Sequence, residues 1–164
     1  MSTWQADKRW SDRFLPEIKS ILGLYLIGEP PREEDAERNT DLMVLRMEAV
    51  RIGCRVRKHG FLVRYPDEFT IRTTRPSGVK TELGKIIEGW GDYFMYGFCD
   101  ETERDLEAWF LGDLRVFRRW FAREVSKLDK GKYPGMVKTN GDNSSTFRAF
   151  SVSQLPAEFV IARK

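Results

Sequence analysis

Cysteine is scarce in this chain: Cys54 and Cys99 are the only two in 164 residues, and they form no CxxC pair. Histidine is scarcer, with His59 alone. Two thiols and one imidazole are too few for a structural zinc site, which takes four protein ligands. A single His with no Cys partner also leaves a nucleophilic triad without support. His59 precedes Gly60 and reads as an exposed turn residue. Each cysteine sits inside an apolar pattern, which predicts two small buried hydrophobes in a reducing compartment rather than a disulfide framework. No run of about 18 apolar residues occurs, so no membrane span is expected. The opening segment, Met1 to Trp10, lacks the apolar core of a secretory signal. The net charge of +3 is too small for a protein that coats nucleic acid by overall basicity. The expectation is a cytoplasmic protein with no membrane attachment.

What is present argues for a packed core. Hydrophobic residues make up 41% of the chain and aromatics 13%, too many for a disordered chain. The length fits one domain spanning 1–164, and at this size about 70% of the unfolded surface is buried on folding.

Periodicity divides the chain. Over 8–27, Trp10, Phe14, Ile18, Ile21, Leu22 and Tyr25 recur at helical spacing, and Pro16 marks the start of a second helical segment with Glu17 in its first turn. Residues 28–40 are polar and Pro-rich and read as a loop. Residues 41–47 are apolar on both faces, the pattern of a central strand. Residues 50–57 alternate, with Val50, Ile52, Cys54 and Val56 on one face and Arg51, Gly53, Arg55 and Arg57 on the other. Strands are predicted at Phe61–Tyr65 and Phe69–Thr74, the latter with Phe69 and Ile71 inward. A short amphipathic helix follows at 79–90, then strands at Tyr93–Cys99 and Leu106–Leu111 joined by a turn at 100–105. Asp113 reads as the N-cap of a helix whose stripe is Leu114, Phe117, Phe121, Val125 and Leu128. Residues 129–145 read as a long turn-rich loop, and Phe147–Val152 and Phe159–Ala162 as closing strands. The fold class expected is α+β, a single mixed β-sheet flanked by helices.

Charge is unevenly placed. Residues 46–75 hold eight cations against three acids, Glu48, Asp67 and Glu68. The row Arg51, Arg55, Arg57 puts three like charges on one strand face, which calls for a negative partner. That partner is either phosphate, which guanidinium forks match well, or a carboxylate of the same chain, with Glu17, Asp41 and Glu68 as candidates. Arg72, Arg75, Lys80 and the basic face of the 113–128 helix extend the same surface. The aromatic segment 89–98 suits core packing, with base stacking as the alternative.

The order helix, strand, strand, strand, helix, strand over 17–98 resembles the core of the PD-(D/E)XK nuclease superfamily, the restriction-endonuclease-like fold. The resemblance implies a Mg²⁺-dependent endonuclease with a strand acid at Asp41, a helix acid at Glu17, and an acid-x-Lys motif on the next strand; Glu68, at a spacing that departs from the family's, is the substitute metal ligand beside Asp41, with Arg72 as its cationic partner. At the acid-x-Lys position the chain reads Arg55-Val56-Arg57. An arginine repels a divalent cation, so the implied catalytic centre is altered or lost. The expectation is therefore a nucleic-acid-binding or nucleic-acid-processing domain, with Arg51, Arg55, Arg57 and Arg72 on phosphate. The chain is also similar in general look to small bacteriophage and prophage proteins. That likeness supports the alternative of a non-catalytic protein-interaction or regulatory domain of a phage or mobile element, its arginine row facing an acidic protein surface.

Overall fold

The computed structural model describes residues 3–28, 43–44, 50–74, 80–141 and 145–164. The chain divides into two compact units, Met1–Ala49 and Val50–Lys164.

In the first unit, helix α1 (Thr3–Asp12) and helix α2 (Leu15–Leu26) meet at Phe14. Pro16 lies in the first turn of α2, where its missing N–H costs no helical hydrogen bond. Phe14, Ile18 and Leu22, spaced by four, are the buried stripe. A two-residue antiparallel pair joins β1 (Ile27–Gly28) to β2 (Met43–Val44). Most of the expected loop at 28–40 and strand at 41–47, including Asp41, lies outside the described residues, as does Arg75.

The second unit holds β3 (Ile52–Arg57), α3 (His59–Arg64), β4 (Glu68–Thr74), α4 (Glu82–Ile87), β5 (Tyr93–Cys99), β6 (Leu106–Asp113), α5 (Leu114–Val125), β7 (Met136–Thr139), β8 (Thr146–Ser151) and β9 (Val160–Arg163), with two 3-10 turns between β8 and β9. The α+β class holds. The strands of this unit form two sheets rather than one. A mixed four-stranded sheet has the order β3-β5-β6-β9, and a three-stranded antiparallel sheet has the order β4-β8-β7. β3 runs parallel to β5; the β5–β6 and β6–β9 pairs are antiparallel. Among the described residues no helix is long and apolar enough to cross a membrane.

The core is aromatic. Phe69 is fully buried at its centre, with ring centroids of Phe150, Phe159 and Phe110 each at 5.5 Å, and with Phe94, Tyr96 and Phe117 just beyond 6 Å. α5 covers the cluster with Leu114, Val116, Phe117, Trp120 and Phe121. Asp113 caps this helix as expected: its carboxylate accepts from the backbone N–H groups of Arg115 and Val116.

Four expectations change. Phe61–Tyr65 belongs to a helix, not a strand. A short apolar run does not distinguish the two by periodicity, and here Tyr65 N–H closes a helical turn onto the Phe61 carbonyl. The 129–145 loop contains β7, which pairs with β8. Cys54 is exposed on β3, while Cys99 is buried as expected. His59 is not an exposed turn residue. It opens α3, half-buried, with Nδ1 at 2.5 Å from the Glu107 carboxylate and Nε2 at 3.5 Å from that of Glu101.

Candidate functional site

β3 places the arginine row, and it does so differently from the alternation's simplest reading. β3 is an edge strand of its sheet. The register pairs Gly53 with Phe94, Arg55 with Tyr96 and Arg57 with Phe98. Directly paired residues share a sheet face, so the arginines lie on the face that carries the aromatic core. At a sheet edge this is tolerable: the aliphatic stems lie along apolar surface and the guanidinium heads reach polar partners.

Those partners come from β4 and α4. Arg55 Nη1 donates to the Thr70 carbonyl at 2.7 Å, and Arg55 Nη2 lies 2.6 Å from the Glu82 carboxylate. The same Glu82 oxygen accepts the Arg72 backbone N–H at 3.0 Å. Arg57 Nη1 donates to Thr70 Oγ1 at 2.8 Å, and its guanidinium stands 3.8 Å over the Phe61 ring. Thr70 is thereby buried but satisfied, with Tyr96 Oη also 3.3 Å from its hydroxyl. The carboxylate facing the row is Glu82, which was not among the acids expected.

Two cavities open along this face. The larger, about 480 Å³, is lined by Arg51 just before β3, Gly53 and Arg55 of β3, Arg72 of β4, Lys80, Thr81, Glu82, Lys85 and Ile86 around α4, then Trp90, Gly91, Phe94 and Leu114. It holds five cations and one carboxylate, and that carboxylate is engaged by Arg55. Lys80 pairs with Glu88 at 2.6 Å, both about half exposed, an arrangement that neutralises little in water. The Arg51 guanidinium and the Lys85 ammonium have no ionic partner among the described residues. Cations gathered in a concave, partly apolar wall raise the local potential and concentrate anions there.

The rim is built rigidly. Gly89 and Gly91 both have positive φ, 100° and 83°, a backbone region that suits glycine. Between them Trp90 is held with its side chain 61% exposed. The Trp90 backbone N–H donates to the Lys85 carbonyl, Arg118 Nη1 donates to the Gly91 carbonyl at 3.1 Å, and the Asp92 backbone N–H donates to the Arg51 carbonyl at 2.8 Å. The Asp92 carboxylate in turn accepts the Arg51 backbone N–H at 2.8 Å. Arg51 and Trp90 are thus fixed to one frame.

The smaller cavity, about 220 Å³, is lined by Arg57, Phe61, Tyr65, Glu68, Thr70, Tyr96, Phe98, Lys138, Thr139 and Phe147. α3 sets Phe61 and Tyr65 one turn apart, so both rings face it. Lys138 Nζ sits 4.0 Å over the Tyr65 ring and 2.8 Å from the Glu68 carboxylate.

The expected acids are scattered in what they contact. Glu17 is half-buried in the first turn of α2, Asp41 is outside the described residues, and Glu68 is ion-paired with Lys138 beside Arg57. A Mg²⁺ ion needs several hard oxygen donors. The surroundings of Glu68 offer one carboxylate and two cations, which does not fit such an ion. Among the described residues no group of three or more His, Cys, Asp or Glu is placed to hold a metal. Of the four arginines expected on phosphate, Arg51, Arg55 and Arg72 share the larger cavity and Arg57 lines the smaller. Glu82 and Lys85 went unnoticed in the sequence. The signal for them is their spacing of three on the polar side of the 79–90 helix, close to the arginine-rich strands only in space. Compared with protein-family models, with curated proteins and with solved structures, the chain matches none.

Proposed function

We propose that the 50–164 unit is a nucleic-acid-binding module that grips phosphate with side-chain cations, without a bound metal. The observation that carries this reading is the larger cavity: five cations against one already-paired carboxylate, with an exposed indole at the mouth. Arg51, Arg72 and Lys85 supply the phosphate contacts; Arg55, held by Glu82 and Thr70, shapes the wall. Guanidinium forks suit phosphate oxygens, and the salt dependence of binding follows from counterion release. The test is fluorescence anisotropy with labelled oligonucleotides at low and moderate salt. Binding that weakens steeply with salt and is lost in Arg51→Glu/Lys85→Glu supports the reading. No binding to single or double strands at low salt sinks it.

A second reading, a protein-interaction domain, is favoured by β7. This edge strand of the antiparallel sheet leaves Met136 and Val137 exposed, and an unpaired edge is a template for an added strand. On this reading the protein binds no oligonucleotide at low salt, and a charge placed at Val137 on the β7 edge abolishes partner capture while Arg51→Glu/Lys85→Glu does not.

A further inference from the structure

Resting on the nucleic-acid reading above, we infer that the larger cavity selects single-stranded nucleic acid by stacking one unstacked base on Trp90 while its adjoining phosphate enters among Arg51, Arg72 and Lys85. Three observations lead there. First, the cations are inside a concavity rather than spread over a flat or ridged surface. A duplex presents a broad convex backbone with its bases stacked inward, so it meets such a site at the rim alone. A flexible single strand threads a phosphate into it.

Second, the indole of Trp90 is held open at a cost. It is the largest side-chain type, 61% exposed, and makes no ring contact with any other aromatic among the described residues. The other exposed aromatics of the same unit, Phe61, Tyr65 and Tyr133, each meet a cation or another ring, and Trp90, the most exposed of them, stacks on neither. Hydrogen bonds to the Lys85 and Gly91 carbonyls and from the Asp92 N–H fix the backbone of the loop that carries the ring. An exposed, pre-positioned aromatic beside a phosphate-attracting groove is the arrangement by which single strands are held without sequence readout, the base contributing its π-face and the groove tracking the backbone.

Third, the size agrees. At about 480 Å³ the cavity falls in the range of about 300–1,000 Å³ typical of small-ligand sites, enough for one nucleotide and too little for a groove that accepts a helix. Both rim and floor are set by the same frame: Asp92 binds the Arg51 backbone from the loop that carries Trp90. The backbones that carry the base platform and the phosphate contact are held together, which reduces the ordering cost of binding.

The experiment compares 15-nucleotide oligo-dT and oligo-rU with a blunt 15-base-pair duplex by anisotropy at one low salt concentration, for the wild type, Trp90→Ala, Trp90→Phe and Arg51→Glu/Lys85→Glu. Tighter binding of either single strand than of the duplex is expected. Trp90→Ala should weaken single-strand binding by about tenfold or more, the scale of one lost stacking contact, and duplex binding by clearly less, since a duplex offers the rim no unstacked base; Trp90→Phe should retain most of the single-strand affinity. Equal affinity for single strand and duplex overturns the inference while leaving the broader reading intact, provided the charge reversal abolishes both. Unchanged single-strand affinity in Trp90→Ala also overturns it. Absence of all binding removes both.

Discussion

Arg55 and Glu82, 27 positions apart in sequence, meet with Nη2 at 2.6 Å from the carboxylate, joining the edge strand β3 to the start of α4. The pair does two things. It converts one member of a mutually repelling arginine row into structure, and it places the cavity's sole carboxylate where its charge is already matched.

Replacing Glu82 therefore separates stability from anion binding. Glu82→Ala leaves the Arg55 guanidinium with Thr70 as its remaining partner and strips the Arg72 N–H of its acceptor. The expected loss is about 1.5–3 kcal/mol, the scale of hydrogen bonds to charged groups; because both side chains keep partial solvent access, the lower end applies. Urea denaturation reads this loss. Oligonucleotide affinity moves the opposite way, rising as the cavity becomes more positive. A variant that loses both stability and affinity would show that Glu82 positions the cations rather than merely offsetting them.

Salt dependence reports the number of phosphates neutralised. For single strands log K against log salt has a slope of about −0.7 per phosphate contact. Arg51→Ala and Lys85→Ala should each make the slope shallower by about 0.7, and the double variant by about twice that. Substitution of Arg104, in the turn between β5 and β6, should leave it as it is.

Phe69 is the residue whose loss costs most. It meets six aromatic rings drawn from both sheets, α5 and the 3-10 turn before β9. Phe69→Ala should destabilise by about 3–5 kcal/mol, measured as a fall in the urea midpoint with an unchanged slope. A loss under about 1 kcal/mol would mean the cavity collapses and the ring is not the keystone of this core.

Gly112 tests close packing by the opposite change. A Cβ at this β6 position would stand 2.5 Å from the tip of the Phe159 ring, which is fully buried and held among Phe69, Phe110 and Phe117. Gly112→Ala should cost about 1–3 kcal/mol as the ring is displaced, and the double variant with Phe159→Leu should recover part of it.

Asp113 governs part of the acid limb of stability. Partial burial pushes its pKa up, but hydrogen bonds from Arg115 and from the Val116 N–H outweigh that and hold the folded value below the usual carboxylate range. A carboxylate whose folded pKa is depressed contributes stability above its unfolded pKa, about 3.9, and loses it as pH falls through the lower folded value. Between pH 5 and pH 2 the wild type should therefore lose more stability than Asp113→Asn, which keeps a neutral cap. At pH 7 Asp113→Ala should be less stable by about 1 kcal/mol. Parallel pH curves for wild type and Asp113→Asn would remove the carboxylate from this role.

The features readable in advance are those encoded by near neighbours. The aromatic strand Tyr93–Cys99, the turn that follows it, the Asp113 cap and the helical stripe from Leu114 to Phe121 each depend on residues within a few positions, where spacing and capping chemistry act directly. Where local signals were even, they misled: Phe61, Leu62 and Val63 suit strand or helix, and in the helix Leu62 packs against the core while Phe61 and Tyr65 meet Arg57 and Lys138.

By itself the sequence determined that Arg51, Arg55 and Arg57 share one face, since alternation in an extended chain leaves no other choice. Only the tertiary structure decided which face that is. It set β3 at an edge, matched Arg55 and Arg57 to Tyr96 and Phe98 in register, and brought Glu82 to Arg55 and Lys138 to Glu68 across 27 and 70 positions. Such pairings are not written in any local period. They arise because burying the Phe69 cluster from two sheets at once forces distant strands together, and the charges then find their partners at the edges of that core.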